Sequence, residues 1–203
     1  MFLYGAGGHA KVIMDILKAE GKLVEALIDD SKELNELMGV KVFHSINQAM
    51  SPLIVSIGDN NTRRLIAEKV NATFGMAIHP SAIISDSVKI DVGTVVMQGF
   101  IIQACTQIGR HCIVNTGASI DHECVIGDFV HISPRVTLCG NIHVGEGSWI
   151  GAGTVVIPGV KIGRWSIIGA GSVVDKDIPD GVLALGNRCR IIKSLESEKR
   201  YYE

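Results

Sequence analysis

His122 and Glu123 are adjacent in Ile120-Asp-His-Glu-Cys-Val, and an imidazole beside a carboxylate is a simple pair able to take a proton from an attacking amine or hydroxyl. The carboxylate would accept from one ring nitrogen, fix the tautomer and stabilise the imidazolium that forms. The plain alternative is an exposed His-Glu pair with no chemistry. Near the amino end, Gly5-Ala-Gly-Gly-His9 follows the strand-like Phe2-Leu-Tyr and precedes a segment whose Val12, Ile13, Ile16 and Leu17 fall at helical spacing. A glycine turn opening a helix points backbone N–H groups where a pyrophosphate could bind. It is equally the pattern of a tight turn with no ligand. Asp29 and Asp30, after the strand-like residues 23–28, occupy the place where an acidic residue meets a ribose or base.

What must position the His-Glu pair is a repeat of six. From Ile78 to Val174 every sixth residue is Ile, Val or Leu, seventeen landings in succession, with a chance probability of roughly 10⁻⁹ in one frame. Short strands and turns filling six residues each, three to a coil, make a β-solenoid with flat sides and about five and a half coils. The fifth position is mostly small or β-branched, as in Ala82, Thr94, Thr106, Cys112, Ala118 and Cys124, which suits a crowded interior corner. Glycine gathers at the second and fourth positions, as in Ile150-Gly-Ala-Gly-Thr, where the turn is expected to need φ > 0. The count never breaks, so no long loop interrupts the coil. His122 is third in its hexad, after inward Ile120, which predicts a ring at a corner and outside the packed interior.

Before residue 75 no hexad rule holds. The order there is strand, glycine turn, helix, strand, then residues 53–57 as a further strand ending in Gly58-Asp-Asn-Asn61, then a helix from 62 to 70. This βαβ…βα order predicts a small Rossmann-like parallel sheet with ligand groups at the carboxyl ends of its strands. Gly5-x-Gly-Gly departs from Gly-x-Gly-x-x-Gly, because residue 10 is alanine, which disfavours a dinucleotide enzyme. The expected organisation is a binding domain over 1–75, a solenoid over 76–180 and a tail over 181–203 whose charged end, 196–203, frays.

With 203 residues, a formal charge of −2 and no basic cluster interleaved with aromatics, nucleic acid is excluded as a partner. The mean hydropathy of +0.31 comes from inward aliphatics of the repeat, since no apolar run approaches the ~20 residues of a membrane span. No basic leader precedes Met1-Phe-Leu-Tyr, so a cytoplasmic location is expected. Five cysteines, an odd number without Cys-x-x-Cys, speak against a disulfide framework or zinc site.

The hexads resemble those of left-handed parallel β-helix proteins, and the left hand is taken from that resemblance. Tyr4-Gly-Ala-Gly-Gly-His9, Ile28-Asp-Asp30, Ile57-Gly-Asp-Asn-Asn-Thr-Arg63, His79-Pro80 and the run from Asn115 to His131 followed by Cys139-Gly-Asn141 make the chain similar, over nearly its whole length, to one sugar acetyltransferase family. That family comprises the bacillosamine-pathway UDP-4-amino-sugar N-acetyltransferases and the sialic acid O-acetyltransferases. The resemblance implies an acetyl-CoA-dependent N-acetyltransferase acting on a nucleotide-linked amino-deoxysugar without a metal, with His122 as general base and Glu123 as its partner. It implies coenzyme contacts at Asn115, His131, Gly140, Ala152 and Ala170, in a groove between subunits of a homotrimer. It implies sugar-nucleotide contacts at Gly7, Gly8, His9, Asp29, Asp30 and Asn60. Two departures stand out: Arg135 replaces a common glycine, and Gly186-Asn-Arg-Cys-Arg190 replaces Gly-Asn-Pro-Ala-Lys. The alternatives are a sugar O-acetyltransferase, a non-catalytic sugar-nucleotide-binding subunit and a zinc carbonic anhydrase. The last needs three converging histidines, and His111, His122, His131 and His143 lack its five-residue pair.

Overall fold

The structure, a computed structural model, describes residues 1–47 and 49–195; the charged end over 196–203 lies outside them. Strand β1 (Phe2–Tyr4) pairs in parallel with β2 (Ala26–Ile28) on one side and with β5 (Leu53–Val55) on the other. β4 (Val40–Phe43) continues the parallel sheet beyond β2, and the short β3 (Glu36–Leu37) closes a hairpin on it, giving the order β3-β4-β2-β1-β5. Helix α1 (Gly8–Ala19) buries Ile13, Ile16 and Leu17, the residues whose spacing predicted it. Helix α2 (Asn60–Lys69) starts at Asp59, whose side chain accepts from Thr62 N at 2.8 Å and so satisfies one free N–H of the first turn.

From Ala77–Ile78 to Val173–Val174 the chain forms seventeen two-residue strands, and successive strands of each face pair in parallel at a spacing of eighteen residues. They make the three flat faces of a left-handed parallel β-helix. The first face runs through Ala77, Val95, Ile113, His131, Trp149 and Ile167; the second through Ile83, Ile101, Ser119, Thr137, Val155 and Val173; the third through Lys89, Gln107, Val125, His143 and Lys161. The turns after them form the first, second and third edges respectively. Hexad aliphatics such as Val96, Ile102, Ile120, Ile132 and Val156 fill the interior, with Cys112 and Cys124 buried among them. Burial of each such side chain contributes about 1.5–3 kcal/mol, so the repeat is also the stabilising core. A hairpin of Val182–Leu185 with Arg190–Ser194 extends the first face.

The glycine expectation holds at one position and changes meaning at the other. Every fourth-position residue from Gly93 to Gly171 has positive φ, including Cys105, His111, Glu123, Phe129, Arg135, Asn141 and Trp165. The second-position glycines are absent from that set. Their requirement is close approach between coils: a Cβ on Gly151 would lie 2.5 Å from Ala170 N, and one on Gly145 2.6 Å from Arg164 N.

The α/β region sits on the first three coils of the first face. Ala77, Val95 and Ile113, which point out of the solenoid, join Leu3, Ala10, Ile13 and Leu17 in one apolar cluster. His131 is the next outward residue of that face, so it lies where the covered part of the face ends.

Candidate active site

His122 and Glu123 stand on the second edge. Asp121 Oδ1 accepts from His122 N at 2.8 Å, which fixes the start of the turn, and Glu123 takes the left-handed conformation at φ 60°. His122 Nδ1 meets Glu123 Oε2 at 3.0 Å, with the two side chains 55% and 66% exposed. With a carboxylate accepting at Nδ1, the proton resides there and the Nε2 lone pair is left to act as a base. Eighteen residues on, one coil above, Gly140 lies against the same ring: a Cβ there would be 2.6 Å from Cε1 and 2.7 Å from Nε2 of His122. Gly140 is therefore a glycine by close approach rather than by φ. Its N–H finds no acceptor among the described residues. A recess of about 260 Å³ lined by Gln103, Ser119, Asp121, Thr137 and Cys139 borders this edge.

The second group of predicted residues collects elsewhere. On the first face His131 Nε2 faces Asn115 Nδ2 at 3.3 Å, and its ring stacks on Trp149 with centroids 5.6 Å apart. Trp149 is itself pinned by an Nε1–H bond to Ser133 Oγ at 2.7 Å. Burial, then the nearby Arg63 and His9, push His131 down to about 3, against a backbone hydrogen bond at Gly58 that acts the other way. His9, in the first turn of α1, is pushed down to about 4 by burial and then by Arg63, and its Nε2 is buried without a partner. Both imidazoles are thus neutral near pH 7. Within one chain His122, Glu123 and Gly140 share the second edge, whereas Asn115 and His131 lie at and before the first edge.

Ala152 and Ala170 lie on the first edge, one coil apart, between Gly151 and Gly153 and between Gly169 and Gly171. A Cβ on Gly153 or Gly171 would meet nothing within 4 Å, so this edge is bare backbone facing outward. Arg135 interrupts that column of Gly99, Gly117, Gly153 and Gly171 at φ 56°.

Gly7 and Gly8 likewise have open space where a Cβ would be, and neither has positive φ. Gly7 is the extended N-cap of α1 with no side-chain cap, which leaves first-turn N–H groups available to a ligand. Asp29 spends its carboxylate on shaping that turn, accepting from Ala6 N at 2.8 Å and from Ser31 N at 2.9 Å. Asp30 is reached by Tyr4 OH at 3.2 Å, and burial with the Asp30 charge pushes the Tyr4 hydroxyl up. Asn60 is placed differently from the other predicted ligands. It is 8% exposed, and its Nδ2 donates to Gly147 O at 3.0 Å and Ser148 O at 3.2 Å, so it faces the solenoid rather than an open cleft.

Sequence reasoning passed over Arg63 and Trp149. A charged residue three positions after Asn60 and four before Ala67, on one face of the helix, was the available signal for Arg63. Among the described residues no three His, Cys, Asp or Glu gather as metal ligands, and no helix is long and apolar enough to cross a membrane.

Residues 1–70 match the PglD N-terminal domain model, and residues 141–176 match the six-repeat bacterial transferase hexapeptide model. The crystal structure of PerB from Caulobacter crescentus, in complex with CoA and GDP-perosamine, superposes with a TM-score of 0.87 at 39% identity, covering 95% of this chain and 96% of that one. The acetyltransferase domain of PglB from Neisseria gonorrhoeae, in complex with acetyl coenzyme A, gives 0.87 at 33% identity, covering 94% and 98%. A GDP-perosamine N-acetyltransferase of Escherichia coli O157:H7 is 27% identical over 171 residues, 77% of each chain. A PglD-type α/β domain and an unbroken hexapeptide helix in one chain, alike in sequence and superposition to these enzymes, place it in the hexapeptide-repeat family of sugar acetyltransferases.

Proposed function

We propose that this chain is an acetyl-CoA-dependent N-acetyltransferase acting on the amine of a nucleotide-linked amino-deoxysugar, working as a homotrimer in the cytoplasm. Residues 1–75 hold the sugar nucleotide through Gly7, Gly8, His9, Asp29 and Asp30. The solenoid over 76–180 supplies the chemistry and holds the coenzyme, with Asn115, His131, Gly140, Ala152 and Ala170 along it.

The observation that carries the reading is the His122-Glu123 pair, oriented by its 3.0 Å contact and overlaid by the bare Gly140. His122 Nε2 takes a proton from the acceptor amine as its nitrogen forms a bond to the thioester carbonyl carbon. The unpaired Gly140 N–H is a donor for the resulting oxyanion. Collapse breaks the C–S bond, and the proton on His122 passes to the departing thiolate, leaving an amide and free coenzyme A. No covalent enzyme intermediate is needed. The two half-sites lie on different edges of one chain, which supports a site completed between subunits. The second face, with Ile83, Ile101, Ser119, Thr137, Val155 and Val173 outward, is an uncharged surface suited to that packing.

The test is acetyl-CoA consumption against GDP-, UDP- and dTDP-linked amino-sugars and free sialic acid, with GDP-linked acceptors first because of the Caulobacter and Escherichia relatives. The expected product is an amide, stable to mild base. An ester product, or no turnover with any nucleotide-linked amine, overturns the reading.

A further inference from the structure

Arg63 is 1% exposed and makes all five guanidinium N–H bonds, none of them to a carboxylate. Nε donates to His111 O at 2.8 Å; Nη1 to Ile57 O at 2.9 Å and Gly58 O at 3.1 Å; Nη2 to Asn60 Oδ1 at 2.8 Å and Phe129 O at 2.9 Å. Asn60 passes the connection on to Gly147 O and Ser148 O. His111, Phe129 and Gly147 are equivalent positions on three successive coils of the third edge. The other backbone partners, Ile57 and Gly58, follow the carboxyl end of β5, and Gly58 lies beside His131. Burial pulls Arg63 down only to about 10, so it stays a cation. A buried charge satisfied only by neutral carbonyls is costly unless every donor is paired, which fixes the geometry tightly.

We infer that Arg63, together with Asn60, is a positioning residue that sets the register between the sugar-nucleotide turn and the catalytic solenoid. This rests on the function proposed above. The apolar contact of α1 with Ala77, Val95 and Ile113 presses the two parts together but is non-directional. The guanidinium fork is directional; it grips two coils itself and a third through Asn60. Neither side chain reaches the reacting atoms. Their effect is to hold an acceptor bound at Gly7–His9 at a fixed distance and angle from the solenoid that carries His122, a placement where an error of about 1 Å can cost on the order of 100-fold in rate.

The experiment compares wild type with Asn60→Ala, the milder change, and Arg63→Lys, which keeps the charge and loses the fork. Expected is a kcat lowered roughly 10- to 100-fold. Affinity for acetyl-CoA without acceptor, and for the nucleoside diphosphate without coenzyme, stays within about threefold, because each half-site is intact. A folded Asn60→Ala protein with unchanged kcat overturns the inference, as does loss of both binary affinities in parallel with turnover. Should Arg63→Lys fail to fold, Asn60→Ala carries the test. Amide exchange over residues 56–64, read on the same samples, is expected to rise in both variants, and unchanged exchange refutes the clamp without reference to any acceptor. An inactive wild type defeats the proposed function; an active wild type with unaffected variants defeats this inference alone.

Discussion

Replacing Gly140 by Ala tests the geometry of the base most directly. The added Cβ would sit 2.6 Å from His122 Cε1, and ordinary van der Waals contact begins near 3.4 Å, so the ring must retreat by about 0.8 Å or swing into solvent. Either movement stretches the 3.0 Å bond to Glu123 and misplaces Nε2. Near-attack geometry loses about 100-fold per 1 Å, so kcat/KM is expected to fall roughly 50- to 100-fold, equivalent to about 2.5 kcal/mol of transition-state stabilisation. Stability should hardly change, because Gly140 lacks positive φ and the His122 side chain is more than half exposed. The assay is steady-state kinetics on the single variants and on the double variant with His122→Ala. With the imidazole gone, Gly140→Ala should cost less than about threefold more, since the two act through one ring. A single variant within threefold of wild type would refute the reasoning. A full loss that persists in the His122→Ala background would show that Gly140 acts on the coenzyme independently of the ring.

Acid should weaken the fold before it touches the carboxylates. His9 and His111 are held at about 4 and His131 at about 3, chiefly by burial and with Arg63 contributing, so all three lie below the 6.5 of an unfolded histidine. The unfolded chain therefore takes up protons first; stability is full above pH 6.5 and declines as pH falls toward 4, with a slope approaching about 4 kcal/mol per pH unit near pH 5. Urea melts at pH 7.5, 6 and 5 measure it, and a flat dependence refutes the burial of these rings. Arg135→Gly should stabilise by about 1 kcal/mol, a rise of a few degrees in Tm, because Arg135 holds φ 56° between glycines at 64° and 68°. A fall in Tm would show that its side chain holds something in place.

The solenoid was legible because its signal is periodic: one inward aliphatic per hexad is required by every coil, and neighbouring coils repeat the demand. The corner location of His122 followed from register alone. The meaning of the second-position glycines did not, because close approach between coils is a property of stacking and leaves no local pattern distinct from a φ > 0 turn. Gly7 and His9 were readable as a turn and a helix start. The burial of His9 and Asn60 was not, since it depends on how the α/β part docks against the solenoid. Arg63 was hidden for the same reason. Its partners are backbone carbonyls at His111 and Phe129, and a carbonyl has no residue type to recognise.

The eighteen-residue pairing of the coils makes this molecule a ruler. Moving a side chain by eighteen positions keeps its edge and direction and shifts it along the axis by one strand spacing, about 4.8 Å. Moving it by six changes the edge. The gap between the glycine turn at Gly7 and Gly8 and the base at His122 is therefore set in fixed steps, with the Arg63 joint marking zero on the scale. An acceptor with a longer or shorter reach could be matched by carrying the His-Glu pair one coil along its edge together with the glycine above it; a pair at 140 and 141 would need Pro158, eighteen residues after Gly140, replaced by glycine.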